Sequence, residues 1–313
     1  YHPSNALIIL YGDLDYKRFL TFIDEEYLCK YDQRDVYVEK GRIEPMTSTL
    51  TKICEYPVEA GATTKDASII SYAFAANGAD MKDTIGLSMT ANLLNQESSA
   101  FTALVRERMP GKTVTVSIDY DAPAPYLFFQ STGCNEEDLA TLVEIADEAI
   151  ARIAREGFDP AAVESNNAMM KLSLLLMPEN QALGVNAAIL FSGEWAAFGT
   201  MDYFNEYEEV LAGADAAYLG DLLTRYLLNN PHRAAVATVP VAGLSEEKAQ
   251  ALAAELAEKK AAMSAEEIDA LVAKTQAFID WAGATPDDAE IKKLQAVTKE
   301  SLPEEIVEYP VDV

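Results

Sequence analysis

The alternation of apolar and polar residues divides the chain into segments with different predicted structures. At the start, the apolar residues 6–10 predict a β-strand, and the residues that follow have apolar positions at helical spacing. A strand at the start of a chain has no preceding strand to pair with, so this one is expected to join a sheet formed upstream. Residues 1–34 are therefore predicted to be the C-terminal strand and helix of an upstream domain. The polar residues 35–48, with Gly41 and Pro45, are predicted to be a linker.

Residues 49–241 alternate between strand-like and helix-like patterns. The predicted strands, which show two-residue alternation or β-branched and aromatic residues, are 50–56, 67–75, 113–119, 126–131 and 234–240. The predicted helices are 81–95, 98–108, Asn135 to Gly157, Pro160 to near Pro178, 181–197 and 214–229. The turn-rich residues 120–125 predict a hairpin between the third and fourth strands. Strand pairs that alternate with helix pairs predict an α+β fold: a largely antiparallel sheet with helices packed on one face.

Favoured helix-terminating residues set the limits of the longest predicted helix. Asn135 is a good N-cap residue, and Asp138 three positions later suits the positive end of the helix dipole. Gly157 is the residue type that most often ends a helix. We therefore predict that Asn135 caps this helix and that Gly157 terminates it.

Residues 244–282 predict two helices of similar length. Ser245 is predicted to cap the first, and Ser264 with Glu267 forms a capping box at the start of the second. Because only a short link separates the helices, we predict that they fold back as an antiparallel helical hairpin connecting two bodies. Residues 283–313 are predicted to be an extended linker to a missing C-terminal half, since two late prolines disfavour helix.

The chain is strongly acidic. Its 313 residues include 51 acidic and 24 basic side chains, for a formal net charge of -27. Binding to nucleic acid or to an anionic membrane needs clustered Lys and Arg, so this balance argues against both as partners. No apolar run approaches the roughly 18–20 residues that a membrane-spanning helix requires. Two interpretations of the acidity stay open: a well-solvated surface, or an electrostatic field that attracts basic peptides.

The cysteines favour a reducing compartment. Cys29, Cys54 and Cys134 lie far apart in sequence, and their odd number, without a C-x-x-C pair, indicates neither a disulfide framework nor a metal-binding knuckle. We interpret all three as buried small hydrophobic residues. A cytoplasmic location, or in a eukaryote an organellar one after import, is the expectation that follows, since thiols stay reduced there.

No active site can be identified from the residues. The two histidines are His2, which we interpret as incidental or as a contact in a larger protein, and His232, a loop residue at a helix-to-strand corner. The zinc motifs H-E-x-x-H and H-x-x-E-H are missing from the sequence, as are a nucleophile elbow and a glycine-rich phosphate loop. The aromatic residues between 195 and 207 are interpreted as core. We therefore predict no catalytic, cofactor-binding or metal-binding residue in this chain.

Two separate segments resemble a known family. The first is the opening Tyr1-His2-Pro3-Ser4-Asn5, with the apolar strand and Tyr11-Gly12-Asp13 after it. The second comprises Met263-Ser264-Ala265-Glu266-Glu267, Thr275-Gln276-Ala277-Phe278 and Thr285-Pro286-Asp287-Asp288. Both resemble the presequence-protease branch of the pitrilysin/insulinase zinc metallopeptidases. The residues between them are similar in length, order and local pieces, so the resemblance covers nearly the whole chain.

The resemblance carries expectations for the whole protein. It implies four similar α+β domains in two halves, which are joined by the helical hairpin and close around a chamber that admits short unstructured peptides. It also implies a zinc ion held by a His-x-x-Glu-His helix and a later Glu in the first domain, with the motif Glu as general base. Those positions would lie upstream of Tyr1, and the substrate-holding Arg and Tyr residues beyond Val313. No catalytic residue therefore carries over onto this sequence.

Three hypotheses follow. The first is a non-catalytic portion of a zinc metalloendopeptidase, a peptide hydrolase, with zinc in the full-length parent and none in this segment. Its expected partners are peptide substrates, including basic ones, and the missing N- and C-terminal domains. The second is a peptidase-like structural or binding subunit without zinc chemistry. The third is an unrelated acidic binding domain, which would be favoured if residues 1–34 packed as an integral part of the 49–241 core.

Overall fold

The computed structural model describes residues 2–6, 8–10, 14–35, 44–119, 124–176, 203–285 and 287–291. The chain divides into two compact units, Tyr1–Glu246 and Glu247–Val313. The first unit contains a five-stranded sheet and the helices packed on it, and the second contains most of the two long C-terminal helices. Within the described ranges, no helix is long and apolar enough to cross a lipid bilayer.

The sheet combines distant parts of the chain. Its strands are β1 (Leu50–Val58), β2 (Ser68–Ala75), β3 (Thr115–Asp119), β4 (Tyr126–Cys134) and β5 (Arg233–Ala242). They lie in the order β1-β5-β2-β4-β3. The pairs β5–β2, β2–β4 and β4–β3 are antiparallel, whereas β1 and β5 are parallel. The predicted α+β class with a largely antiparallel sheet is confirmed, as is the predicted pairing of the third and fourth strands.

The helices of the first unit are mostly where the apolar spacing predicts them. They are α1 (Tyr16–Glu26), α2 (Met81–Leu94), α3 (Ala100–Arg108), α4 (Asp138–Glu156), α5 (Pro160–Leu176), α6 (Tyr203–Gly213) and α7 (Ala216–Tyr226). The predicted helix over 181–197 lies outside the described residues. Helix α6 was not predicted from the pattern, because its aromatic positions were interpreted only as core. Tyr207 on this helix is indeed partly buried against the core.

The core lies between the sheet and one layer of helices. Strand β2 turns Ile70, Tyr72 and Phe74 towards the helices, and all three are fully buried. Phe129 of β4 adds a fourth buried side chain, with its ring centroid 6.1 Å from that of Phe74. Helix α4 covers these residues with an amphipathic face, which includes seven buried apolar residues. Burial of this continuous apolar layer is the main source of stability expected for such a fold.

The start of α4 differs from the prediction. The helix begins at Asp138 rather than directly after Asn135. The Asn135 side chain instead binds Asp66: Asn135 Oδ1 accepts from the Asp66 backbone N–H at 2.9 Å, and Asn135 Nδ2 donates to Asp66 Oδ1 at 2.9 Å. The Asp138 carboxylate accepts from the Asn135 backbone N–H at 2.8 Å. The Asn135 side chain therefore makes a tertiary contact with Asp66, although its residue type favours the N-cap position of α4. Gly157 ends the helix with φ +79°, as predicted.

The described residues among 1–35 do not contribute to the core. Helix α1 forms as predicted, but it buries no residue, and Leu20 and Phe22 are about 60% exposed. The described residues within 6–10 form no strand. An isolated strand lacks hydrogen-bond partners for its backbone, which explains this difference from the predicted strand. The third hypothesis, an unrelated binding domain, would be favoured if residues 1–34 packed as part of the 49–241 core. The described part of this segment does not pack in that way.

The C-terminal part contains helices α8 (Leu244–Ala262) and α9 (Ala265–Gly283), followed by the short α10 (Asp288–Ile291). The capping box at α9 is confirmed: Ser264 Oγ accepts from the Glu267 N–H at 3.2 Å, and the Glu267 carboxylate accepts from the Ser264 N–H at 2.9 Å. Neither α8 nor α9 buries a residue. Their apolar side chains, among them Leu256 and Trp281, are therefore exposed to solvent. Of the predicted extended linker over 283–313, residues 283–285 and 287–291 are described, and α10 makes Asp288–Ile291 helical rather than extended. Asp287 stabilises this turn by accepting from the Ala289 N–H at 3.2 Å. The rest of the predicted linker lies outside the described residues.

Candidate functional site: the open face of the sheet

The two histidines lie in separate parts of the structure. His2 Nδ1 accepts a hydrogen bond from the Ser4 backbone N–H at 3.1 Å, and its ring packs edge-on against Tyr31. His232 immediately precedes β5, as predicted, but it is buried, with its Nδ1 within hydrogen-bond distance of Asn77 Nδ2. Both rings therefore make structural contacts with neighbouring side chains.

The described residues do not fit a zinc site. A catalytic zinc ion is held by three protein ligands, usually His, Cys, Asp or Glu. Within the described ranges, no group of three or more such residues is arranged to hold a metal ion. The cysteines are also separate: Cys134 is buried and Cys54 is partly buried, but Cys29 is exposed. The prediction of a buried thiol is thus wrong for Cys29, because the short helical turn Leu28–Lys30 that carries it buries none of its residues.

Among the described residues, the helices pack on the face of the sheet that carries Ile70, Tyr72 and Phe74, and we call the opposite surface the open face. Side chains of a strand alternate between the two faces of a sheet, so the buried Ile70, Tyr72 and Phe74 place Ile69, Ser71 and Ala73 on the opposite side. The strand register extends this assignment to the whole sheet. The remaining residues that this register places on the open face include Leu50, Lys52, Cys54, Tyr56, Val58, Ala75, Thr115, Ser117, Asp119, Tyr126, Phe128, Gln130, Ala234, Val236, Thr238, Pro240 and Ala242.

The open face is nearly neutral. Among its strand residues, only Lys52 and Asp119 are charged, and they lie on the two outermost strands. Small side chains occupy its centre, where Ser71, Ala73 and Ala234 are neighbours across β2 and β5. Because these side chains are short, the surface between the outer strands offers a shallow apolar floor.

An aromatic pair borders this floor on β4. The rings of Tyr126 and Phe128 are 5.6 Å apart at an angle of 36°, and both side chains are partly exposed. The Tyr126 hydroxyl donates to Asp119 at 3.0 Å, and Gln130 Nε2 donates to Ser71 Oγ at 3.1 Å. These bonds hold the side chains along the strands. The open face can thus contact apolar and polar groups of another molecule, but it contains no pair of groups arranged for acid–base or nucleophilic chemistry.

A polar network on the opposite side anchors the sheet to α4. The Tyr72 hydroxyl donates to Asp147 at 3.0 Å, and Arg233 Nη1 donates to the same carboxylate oxygen at 2.9 Å. The Arg233 guanidinium also lies 5.8 Å from the ring centroids of Tyr72 and Phe74. Burial raises the pKa of Tyr72, and the neighbouring Asp147 raises it further, so the hydroxyl stays protonated as a donor. This network fixes β2 and β5, the strands that form the centre of the open face.

The sequence of this chain matches a known protein family. The family model described as the peptidase M16 inactive domain matches residues 1–169, which is more than half of the chain. The chain belongs to the peptidase M16 family. The resemblance to the pitrilysin/insulinase peptidases is thereby confirmed. The match also includes the opening segment that carries the first resemblance.

Curated M16 relatives are similar along most of this chain. Protein HypA of Clostridium perfringens is 22% identical over 100% of this chain and 33% of its own length. The mitochondrial presequence protease of Danio rerio is 21% identical over 85% of this chain and 27% of its own length. The chain therefore spans about a third or less of the length of the curated relatives it matches.

Solved structures support the fold. The periplasmic protease PqqL from Escherichia coli superimposes with a TM-score of 0.54 at 13% identity, covering 74% of this chain and 25% of that chain. At this level of identity the likeness concerns the fold alone. It is the fold that the sequence pattern predicts, an α+β domain with helices on one face of the sheet.

Sequence reasoning missed the open face as a surface. The sequence pattern predicted that helices pack on one face of the sheet, but it did not identify the opposite face as a candidate binding surface. A signal was available in the small residues Ser71, Ala73 and Ala234, which are poor candidates for a second packed layer. Because the sequence analysis predicted no catalytic residue, no motif pointed to the open face.

Proposed function

We propose that this chain is a non-catalytic portion of a zinc metalloendopeptidase that degrades short unstructured peptides inside a closed chamber. The observation that carries the proposal is the match to the M16 inactive domain over residues 1–169. The coverage of about a third or less of the curated relatives supports a longer parent, with the zinc ligands in another part of it. The cytoplasmic location favoured by the unpaired cysteines belongs to the same proposal.

In this proposal the open face is the wall that a peptide meets. Its near-neutral charge and its aromatic pair, Tyr126 and Phe128, suit an extended peptide with mixed side chains. The sheet brings a rigid surface but no reacting group, so its contribution would be to binding and orientation rather than to bond cleavage. Zinc in the parent would supply the polarisation of the scissile carbonyl and the activation of water.

Many acidic side chains lie on the helix layer rather than on the open face. Exposed carboxylates lie on the helix layer, for example Glu144 and Glu148 on α4 and Glu164 on α5. If the parent takes up basic peptides, these groups would attract them at long range, and screening by salt would weaken the effect. The open face would then hold peptides mainly through short-range contacts.

Cleavage assays on the full-length parent and on this segment test the proposal. Both would be incubated with an unstructured basic peptide, with zinc content measured on the same samples. We expect the parent to bind zinc and to cleave the peptide in a chelator-sensitive way, whereas the segment does neither. Replacing the histidines of an upstream His-x-x-Glu-His helix should abolish both zinc binding and cleavage by the parent.

The alternative is a peptidase-like structural or binding subunit without zinc chemistry. The description of the matched family model as an inactive domain is compatible with it. A parent that is free of zinc and inert towards peptides would overturn the first proposal and support this one. In that case the open face and the helix layer would be the surfaces on which to search for a partner.

A further inference from the structure

The turn between β2 and α2 contains the one Asn-Gly pair of the sequence, Asn77-Gly78. The Ala79 backbone N–H closes this turn by donating to the Ala76 carbonyl oxygen at 3.1 Å, and Gly78 has φ +80°. A positive φ at the third residue of a turn is the geometry of type II, which favours glycine there. Asn77 and Gly78 are both exposed. The chemistry of this pair is independent of the proposed function.

Asparagine is a chemically labile residue, because the next backbone nitrogen can attack its side chain. In this reaction the Gly78 nitrogen forms a bond to Asn77 Cγ and gives its proton to hydroxide. The bond from Cγ to Nδ2 breaks, and ammonia leaves with a proton from water. The product is a cyclic succinimide. Water then opens one of the two C–N bonds of this ring, which leaves either aspartate or isoaspartate in place of the asparagine.

The attacking nitrogen has no hydrogen-bond partner among the described residues. The N–H groups of Ala76 and Ala79 on either side both donate to carbonyl oxygens, whereas the Gly78 N–H does not. A Cβ built on Gly78 would meet no atom within 4 Å, so the space around this residue is open. Glycine also has no side chain that would hinder the attack. The local structure therefore leaves the reacting nitrogen accessible.

The nitrogen that leaves is bonded to a buried histidine. Asn77 Nδ2 donates to Nδ1 of His232, which is 7% exposed and directly precedes β5. An amide nitrogen only donates, so this contact requires Nδ1 without a proton. Deamidation replaces the amide nitrogen with a carboxylate oxygen, which only accepts. The imidazole must then hold a proton on Nδ1 to keep the contact, because two facing acceptors without a proton between them are unfavourable.

Isoaspartate also lengthens the connection from β2 to α2. Its main chain passes through Cβ, so the chain contains one more atom between Ala76 and Gly78. The hydrogen bond from Ala79 to Ala76 depends on the normal spacing of the turn residues. Asp80 follows directly and caps α2 by accepting from the Asp83 N–H at 2.9 Å. The added atom therefore disturbs both the turn and the start of α2.

We propose that Asn77-Gly78 is a site of spontaneous deamidation, and that loss of the amide moves a proton of His232 onto Nδ1. The modification adds one negative charge to the surface and reverses the direction of the hydrogen bond that joins this turn to the start of β5. The converted fraction grows with time in neutral or alkaline solution, because the Gly78 nitrogen has to lose its proton.

The first test follows deamidation of the complete chain by peptide mass spectrometry after incubation at mildly acidic and mildly alkaline pH. Asn77 should convert faster than Asn229, which is also exposed in a loop but precedes Asn230, and its rate should rise with pH. Gly78→Ala should slow the conversion about tenfold, which corresponds to about 1.4 kcal/mol in the barrier.

Gly111→Ala is the matched control for this substitution, since Gly111 also has a positive φ and open space around it. The control variant should deamidate at Asn77 as fast as wild type. Urea midpoints of both variants verify that they are folded.

The second test uses the small number of histidines, since the chain contains only two. Nitrogen chemical shifts of the imidazole rings distinguish protonated from unprotonated ring nitrogens, and His2→Gln identifies the signals of His232. At neutral pH, wild type should show Nδ1 of His232 without a proton, and Asn77→Asp should show it with one. The same signals measured on wild type as it deamidates make the test independent of the folding of Asn77→Asp.

Three outcomes would overturn the inference. The first is conversion of Asn77 no faster than that of Asn229. The second is equal slowing by Gly78→Ala and Gly111→Ala, which would mean that access to the Gly78 nitrogen does not control the reaction. The third is an unprotonated Nδ1 of His232 both in folded Asn77→Asp and in deamidated wild type.

Discussion

At the residue scale, Tyr72 connects the centre of the sheet to the helix layer. Its ring is fully buried among aromatic neighbours, while its hydroxyl reaches the Asp147 carboxylate. Arg233 holds the same carboxylate oxygen, and it also donates to Thr49 Oγ1 at 2.9 Å. A buried hydroxyl needs such a partner, because leaving it unpaired would cost more than the bond contributes. Three distant parts of the sequence therefore meet at one carboxylate.

Tyr72→Phe tests the contribution of this hydroxyl. The substitution keeps the ring and leaves Asp147 bonded to Arg233, so we expect a loss of about 1–2 kcal/mol in the free energy of unfolding. The measurement is a urea unfolding curve. Tyr126→Phe at the edge of the open face is a suitable control, since its hydroxyl bond to Asp119 is less buried. An equal loss in both variants would contradict the special role of the buried bond.

Asp66 offers a prediction about pH. Hydrogen bonds from Lys112, at 2.8 Å, and from Asn135 hold the pKa of this carboxyl below its usual value. A carboxyl with a pKa lowered by folding stabilises the folded state above its unfolded pKa, and this contribution is lost as pH falls through the lowered value. Lys112→Gln should therefore destabilise the chain at neutral pH, and the difference from wild type should shrink below about pH 4. Urea midpoints at a series of pH values would measure it.

At the element scale, helices α2 and α7 pack closely together at Gly86. A methyl group there would lie 2.3 Å from Leu222 Cδ1 and 3.0 Å from the Tyr218 hydroxyl oxygen. By contrast, a methyl group on Gly220 of α7 would meet no atom within 4 Å. The first glycine is thus required by packing, whereas the second only lowers the intrinsic stability of its helix.

The two glycines predict opposite effects of alanine. Gly86→Ala should destabilise the chain by about 1–3 kcal/mol, because it overpacks a helix contact. Gly220→Ala should stabilise it by about 0.5–1 kcal/mol, because alanine restricts the unfolded chain and favours helix. Urea unfolding of both variants measures the difference. A stabilising Gly86→Ala would mean that α2 and α7 are not packed as described.

The capping box of α9 predicts a local effect. Its reciprocal bonds satisfy two backbone N–H groups at the helix start, and the bonds from Ser264 also lower the pKa of Glu267. Ser264→Ala should cost about 1 kcal/mol of helix stability. Since α9 buries no residue, faster hydrogen exchange should be confined to its first turn. Exchange measured by mass spectrometry would contradict this if the sheet strands also exchanged faster.

At the scale of the whole molecule, the chain consists of two units with different packing. The first contains the buried core, and the second contains helices whose apolar side chains are exposed. Stability should therefore come almost entirely from the first unit, because burial of apolar surface is the dominant favourable contribution to folding.

Truncation after Glu246 tests this division. The shortened chain loses α9 and most of α8, which bury no residue, so its urea midpoint should stay close to that of the complete chain. The Glu246 carboxylate is retained because it accepts from the Ala60 N–H at 3.2 Å. A clearly lower midpoint would mean that the C-terminal helices stabilise the sheet. A chain truncated after Ala262 retains α8 and lacks α9. Its urea midpoint would then show whether α8 provides the stabilisation.

The sequence by itself determined the local structure of this protein and its family. Periodicity placed all five strands and α2 to α5 close to their observed limits. The capping box at Ser264 and the terminator Gly157 were predicted from a few neighbouring residues. These features depend on interactions within one or two turns, so their signals lie close together in the chain. The opening motif was specific enough to indicate the M16 family.

Only the tertiary structure decided how these elements combine. It placed β5 between β1 and β2 and paired β5 in parallel with β1. It also used Asn135 to bind Asp66 rather than to cap α4. These outcomes depend on contacts between residues far apart in the chain. Local periodicity contains no information about which distant partner satisfies a strand edge or a side chain.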